Sequence, residues 1–497
     1  MADSKITALD NLTAADPVND MFPIVDVSDT TMAASGTTKR ISVNNLLSSS
    51  PTASGALTVT GKVTANTNIE ITRGLLNDGT STGVGATALA ATTAGATGNT
   101  ALGYRAMYQA TTGANNVAVG ASALSAAAMT GSSNVAVGVS ALAASTTSSN
   151  TAVGKSALEL QSGAADYNTA VGINAGAKIT TGGQNLALGS APMSGAGSIT
   201  GNYNIAVGNA ALSSANTLSG SDNIGIGRST FANLSSGASN VALGRESGNK
   251  LTTGQTNTYV GAAAGYNNLT GDNNVGIGFQ AIVAATVSNL TAVGVNALVA
   301  NTTGTGNTAV GRSALASITT TSNNTALGYN TGNATTASEV TAIGANALQL
   351  STGGANNTAV GANTMGWGIV TGANNTSIGT NSAYNLTSGD NNTILGQSSA
   401  FSLTQGSSNT FIGVSAGDTT TLGSSNICIG RVAVTSAAGA SNELSIGSST
   451  YFVGTDGAAN TFFTSATALS TGVIPATCGF IKINLNGTIR KIAVYAV

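Results

Sequence analysis

The sequence predicts an all-β fold, a parallel β-solenoid (a β-roll) of about 21 rungs of about 17 residues each, and three observations carry that prediction. A short phrase ending in glycine returns from Gly103, Gly120 and Gly138 onward to Gly447, in 21 copies at steps of 16 to 19 residues. Val, Ile or Leu stands directly before that glycine in all 21 copies, from Leu102 to Ile446. Asn stands four residues before it in 18, the exceptions being the copies ending at Gly294, Gly344 and Gly447. A degenerate copy around Gly85 precedes the first. Spacing this regular is the mark of stacked repeats, each stabilised by the repeats above and below it.

Taken in order, each position of the phrase has a physical expectation. The Asn suits a turn, tolerates the left-handed conformation and can form a ladder with its equivalents in neighbouring rungs. The aliphatic residue before the glycine is expected to point inward from a short strand. The glycine permits a corner with φ > 0. Three residues later comes Ala, as at Ala123, Ala141, Ala157, Ala297, Ala314 and Ala347, and then Leu, Met or Gly, as at Leu124, Leu158, Met193 and Met365. Each rung is therefore expected to hold two short strands and two turns, stacked at about 4.8 Å. Two residues before the glycine lies a row of Ala (Ala101, Ala118, Ala136, Ala152, Ala170, Ala187), with Gly225 and Gly276 in the same place. On the opposite face from the aliphatic residue, this small apolar stripe is expected to meet other copies of the chain around a symmetry axis, giving a homotrimeric fibre. Tyr259, Ile394, Phe411 and Cys428 interrupt the stripe, and the axis should widen there.

Composition agrees with a thin, elongated core. Of 497 residues, 7% are charged, 4% are aromatic and 65 are Gly, so the large side chains that fill a thick core are scarce. The net charge of −2 is unlike that of a disordered chain. The start, Met1 to Lys5, lacks the basic and apolar regions of a secretory signal, and no apolar run reaches the roughly 18 residues of a membrane helix. Entry into an export pathway and membrane insertion are therefore not expected.

Chemistry is sparse. With no histidine, a Ser-His-Asp site is impossible. Cys428 and Cys478, fifty residues apart, make neither a disulfide framework nor a zinc pattern. Residues 79–450 hold nine carboxylates: Glu159, Asp166, Asp222, Glu246, Asp272, Glu339, Asp390, Asp418 and Glu443. They are too scattered for repeat-borne calcium, and Asp272 and Asp390 each lie in a "GDNN" turn context. No catalytic, metal or cofactor residue is assigned, and the chain is not expected to be an enzyme. Eight Lys and Arg over the same span make no basic groove, so nucleic acid is not an expected partner. Tyr104, Phe279 and Tyr329 directly follow the repeat glycine where other copies carry Lys155, Arg228, Arg245, Arg312 or Arg431, which marks an outward face. Trp367, the only tryptophan, is expected to pack over its own rung.

The phrase Asn-x-Ala-(Val/Ile)-Gly-x-x-Ala resembles the head repeat of trimeric autotransporter adhesins, which implies a trimeric parallel β-roll; the repeats of that family are somewhat shorter. The ends resemble bacteriophage tail-fibre and virion fibre proteins. Lys5 to Leu47 is similar to their N-terminal modules, with Phe22 to Val27 and Arg40 to Val43 reading as strands, and Ser54 to Ile71 is similar to their connecting β-segments. That resemblance implies a virion protein assembled in the host cytoplasm. Its N-terminal part would join a tail or baseplate protein and its distal part would meet a host cell-surface glycan or protein, through receptor-binding residues that the sequence does not name. A polysaccharide-cleaving tailspike is the alternative, then a bacterial surface adhesin or an ice-binding solenoid.

The expected organisation is an attachment module over 1–50, a β-rich connector over 51–84, the repeat shaft over 85–450 and a C-terminal element over 451–497. Residues 1–30 hold six Asp and one Lys, a net −5, and the last eighteen hold Lys482, Arg490 and Lys491 with no acid, a net +3. Asn486-Gly487 between two alternating apolar runs is a strong hairpin signal. With Phe462 and Phe463, this hairpin is expected to cap the solenoid and join the copies, or else to form a receptor-binding tip.

Overall fold

The structure, a computed structural model, describes residues 80–90, 96–163, 165–447, 452–454, 480–485 and 488–493. These fall within the part of the chain spanning Ile71–Val497. The attachment module, the segments Phe22 to Val27 and Arg40 to Val43, the connector Ser54 to Ile71, and Phe462 and Phe463 lie outside the described residues.

What is described is all-β, with no helix among the described residues. Three-residue strands such as Thr82–Val84, Thr100–Leu102 and Val117–Val119 follow one another at the repeat spacing as far as Ile427–Ile429 and the four-residue Glu443–Ile446. Each lies parallel to the next in unshifted register, so that Val241, Ala242 and Leu243 stand beside Thr258, Tyr259 and Val260. Together with one antiparallel strand, Phe452–Gly454, they form a 23-stranded sheet. The chain is thus a parallel β-solenoid, and the degenerate copy before Gly85 supplies its first strand.

Two features of the phrase behave as expected. Gly311 turns the corner at φ +135, and a Cβ there would stand 2.2 Å from the carbonyl oxygen of Gly328, the corner glycine of the next rung. Conformation and stacking both demand glycine. The Asn row forms a buried ladder: in one stretch, the backbone N–H of Asn375 donates to Oδ1 of Asn357 at 2.9 Å, and the N–H of Asn392 donates to Oδ1 of Asn375 at 3.0 Å. Nδ2 of Asn375 donates to the carbonyl of Gly389 at 2.8 Å. These are donors and acceptors in a water-free interior, so each unmade bond is costly. Asn375→Ala should cost about 3 kcal/mol, because the Asn392 N–H and the Gly389 carbonyl lose their partner; equilibrium denaturation of the full chain measures it.

The left-handed residue is not this Asn but the one before it, as at Asn115 (φ 58), Ser133 (φ 60) and Tyr167 (φ 61). Two more follow nearly every corner, at the second and fourth residues after the glycine, for example Ser122 (φ 55) and Leu124 (φ 50). A non-glycine residue rarely adopts this conformation, which costs roughly 1–2 kcal/mol each. The rung-to-rung hydrogen bonds hold it in place: Ser122 N–H donates to the Tyr104 carbonyl at 2.8 Å and Leu124 N–H to the Ala141 carbonyl at 2.9 Å. This is why the second half of most rungs is a run of turns rather than the second strand expected from the sequence. Regular pairing there is confined to Ala334–Thr335 with Leu350–Ser351 and to isolated bridges such as Ala110 with Met129.

The facing of the strand is the reverse of the expectation. The Ala row points inward: Ala118, Ala136, Ala152 and Ala170 are 0% exposed, packed in one core with Ala123 and Leu124 of the following half-rung. The aliphatic row before the glycine points outward, with Leu102, Leu327 and Leu395 exposed by 49%, 48% and 45%. The reason is thickness. The Leu or Met four residues after the corner already fills the rung's interior, and only a methyl group fits opposite it.

Where an aromatic residue takes an Ala position, a glycine makes room. Tyr259 is fully buried, and a Cβ on Gly265 would lie 2.5 Å from its ring; Phe411 has the same relation to Gly417, also at 2.5 Å. Tyr259, Ile394, Phe411 and Cys428 therefore fill their own rungs and do not widen an axis between copies. At the far end of the chain, Phe480–Leu485 pairs antiparallel with Thr488–Ala493, with Leu485 opposite Thr488. Asn486 and Gly487 are the two residues between them, as the hairpin signal requires.

Candidate interaction surfaces

Three outward rows follow from this arrangement. The first is the outer face of the long sheet, made by the residues one and three before each corner glycine. Both rows are aliphatic from Leu186 to Leu243: Leu186 and Leu188, Ile205 and Val207, Ile224 and Ile226, Val241 and Leu243 lie side by side in register over four rungs. Elsewhere Thr often takes the first place, as in Thr291–Val293 and Thr308–Val310. Neither of these two rows carries a charged side chain, a composition ordinarily found inside a protein.

The second row follows the corner glycine. Tyr104, Phe279 and Tyr329 are exposed there, as the sequence indicated. Arg312 lies over the ring of Tyr329, the equivalent residue of the next rung, at 5.8 Å to the centroid. Arg228 pairs with Glu246 of the next rung at 3.4 Å, and Arg245 approaches the same carboxylate at 3.7 Å. These are exposed pairs that contribute little to stability.

The third is an aromatic stack that sequence reasoning missed. Trp367 is 69% exposed and stacks on Tyr384 of the next rung, with centroids 5.9 Å apart and planes 21° apart. Tyr384 stacks in turn on Phe401, at 5.0 Å and 4°. Packing of Trp367 over its own rung is therefore overturned. The three aromatics stand 17 residues apart, which was a readable signal, although Trp367 lies six residues after its corner glycine where Tyr384 and Phe401 lie five after theirs.

Three of the carboxylates help to hold rungs together. Asp166, Asp272 and Asp390 each accept a backbone N–H of the preceding rung at 2.7 Å, from Ser148, Gln255 and Ala373 respectively. They belong to a ladder six residues before the corner glycine, continued by serines such as Ser407 and Ser424. Glu443 accepts the Ser436 N–H at 2.7 Å. Asp418 differs: partial burial lifts its carboxyl above the ordinary value of 3.8. Burial also pushes the Cys428 thiol up to about 12, with the Glu443 charge adding to the effect, so this buried sulfur stays a thiol. Among the described residues no cluster of three His, Cys, Asp or Glu is arranged to hold a metal ion. No described helix is long and apolar enough to cross a membrane.

No protein-family model, curated protein or solved structure matches the chain. Functional reasoning therefore rests on the surfaces themselves.

Proposed function

We propose that the chain is the structural fibre protein of a phage particle, a stiff homotrimeric spacer that carries contact to a host cell surface. The observation that supports this most is the outer sheet face. Its paired aliphatic rows, from Leu186 to Leu243 in particular, would stay in water in a lone chain. Copies arranged about a common axis would bury them, one row of each copy facing each neighbour. The axis thus lies against the outward aliphatic rows and not against the Ala row, which is the interior of the roll.

A solenoid stabilised rung by rung is suited to separating two ends, and three copies would offer three equivalent contacts whose weak affinities multiply. Attachment to a tail or baseplate protein is assigned to the module over 1–50, on its resemblance to such modules alone. Antibody raised against the repeat region should label a fibre on particles purified from the lysate in which the chain is made. Particles that carry no label, with the chain left in the soluble fraction, would remove the virion role.

A further inference from the structure

We infer that the Trp367–Tyr384–Phe401 stack is a binding platform for a neutral carbohydrate chain, with the open face of the Trp367 indole holding one pyranose ring. One face of the indole is turned to Tyr384, so an exposure of 69% requires the other to be open. Gly366 and Gly368, on either side in sequence, have no side chain to lie over it. The stack continues behind it: Tyr384 lies nearly parallel to Phe401, at 4° and 5.0 Å between centroids, so the indole is backed by two further rings.

The face of an aromatic ring is its negative side and attracts weakly positive C–H groups, which a pyranose presents on its apolar face. The polar groups near it in the chain are uncharged, and the exposed Ile369 lies two residues away. Asn385 and Ser402 follow two of the rings in the chain, and Gln349 stands five residues after Gly344, one rung behind Trp367. Between Gly344 and Gly413 the only charged residue is Asp390, whose carboxylate is bonded to the Ala373 N–H. That neutrality suits a hydroxyl-rich ligand and gives nothing to a phosphate backbone. One indole face is also far smaller than the roughly 800 Å² that each partner contributes to a stable protein interface.

The inference deepens the attachment role proposed above but is separable from it, since a single chain would carry the platform equally well. Trp367 is the only tryptophan, so its fluorescence in the full chain reports on this site alone. Titration with cellohexaose, maltohexaose and chitohexaose should give a saturable change with at least one of them, at a dissociation constant of roughly 1 mM. By calorimetry, Trp367→Ala should weaken that binding about tenfold or more, Trp367→Phe less, and Tyr384→Ala should weaken it with Trp367 still present. No saturable change with any of the three sugars, or equal binding by the Trp367→Ala chain with its solenoid intact by circular dichroism, overturns the platform. Trp367-dependent binding to intact cells that survives periodate oxidation of their glycans would assign the surface to a protein partner and overturn the sugar. Failure of the chain to form trimers would leave these outcomes unchanged, so the two readings fail separately.

Discussion

Tyr259→Ala should destabilise the chain by about 3–5 kcal/mol, the usual cost of emptying a buried aromatic site, and Gly265→Leu in the same chain should return much of that loss. Tyr259 holds an Ala position of the interior, beside Gly248, Gly265 and Gly276, and its hydroxyl accepts a hydrogen bond from Asn268. Burial holds that phenol well above its ordinary titration range, so it remains a neutral partner. Removing the ring leaves a cavity lined by glycines, which have no side chains to collapse into it. Gly265→Leu alone should also destabilise, because its first carbon would meet the Tyr259 ring at 2.5 Å.

The double variant rebuilds the common rung. Ala292 and Leu298 occupy the same two places one rung pair further on, both fully buried, and Leu298 adopts φ 52 where Gly265 has φ 61. A double-mutant cycle in urea should therefore show a coupling of about 2 kcal/mol or more in favour of the pair. Additive losses would mean that ring and glycine are not packing partners.

Gly311→Ala should be among the most damaging single-atom additions in the shaft. At φ +135 an L residue is strained in any surroundings, and here the new methyl would also meet the Gly328 carbonyl oxygen at 2.2 Å. Neither rung can yield without opening the strand pairing of Thr308–Val310 with Thr325–Leu327. A loss of about 3 kcal/mol or more is expected. Because each rung is held mainly by its neighbours, the damage should appear as a split: hydrogen exchange should accelerate near residues 308–328 while distant rungs keep their protection. Gly353 provides the control, since a Cβ there meets nothing within 4 Å. Gly353→Ala should leave stability and exchange nearly unchanged, and equal damage from the two substitutions would contradict the stacking account.

Much of this architecture was legible in the sequence because stacking repeats every constraint. The corner glycine recurs wherever the chain turns, and the Asn recurs wherever the buried ladder needs an amide, so both stand out by position. Even the ladder's gaps are readable: Leu290 and Val340 take the Asn place, and their backbone N–H groups still donate to Asn274 and Asn324, at 2.9 and 3.1 Å. The facing of the strand was not legible. Alternation says that Ala118 and Val119 point to opposite sides but not which side is inside, and the habit of placing the larger aliphatic inward gives the wrong answer in a rung this thin. The left-handed residues were equally hidden, because Ser122 or Leu124 carries no chemical mark of positive φ; the hydrogen bonds from adjacent rungs impose it. Of the candidate surfaces, the exposed aromatics after the corner were foreseen, whereas the Trp367 stack was missed because counting from the corner glycine puts Trp367 one place later than Tyr384 and Phe401, although the three are evenly spaced at 17 residues.

The outward facing of the aliphatic rows is the finding on which the proposed assembly rests, and the native mass of the purified chain tests that proposal most directly. Multi-angle light scattering should give three times the 48.0 kDa of one chain, and replacing Ile224 and Ile226 by Asp should lower that mass while circular dichroism still shows the solenoid. A wild-type mass of one chain, with the aliphatic face left in water, would contradict the account.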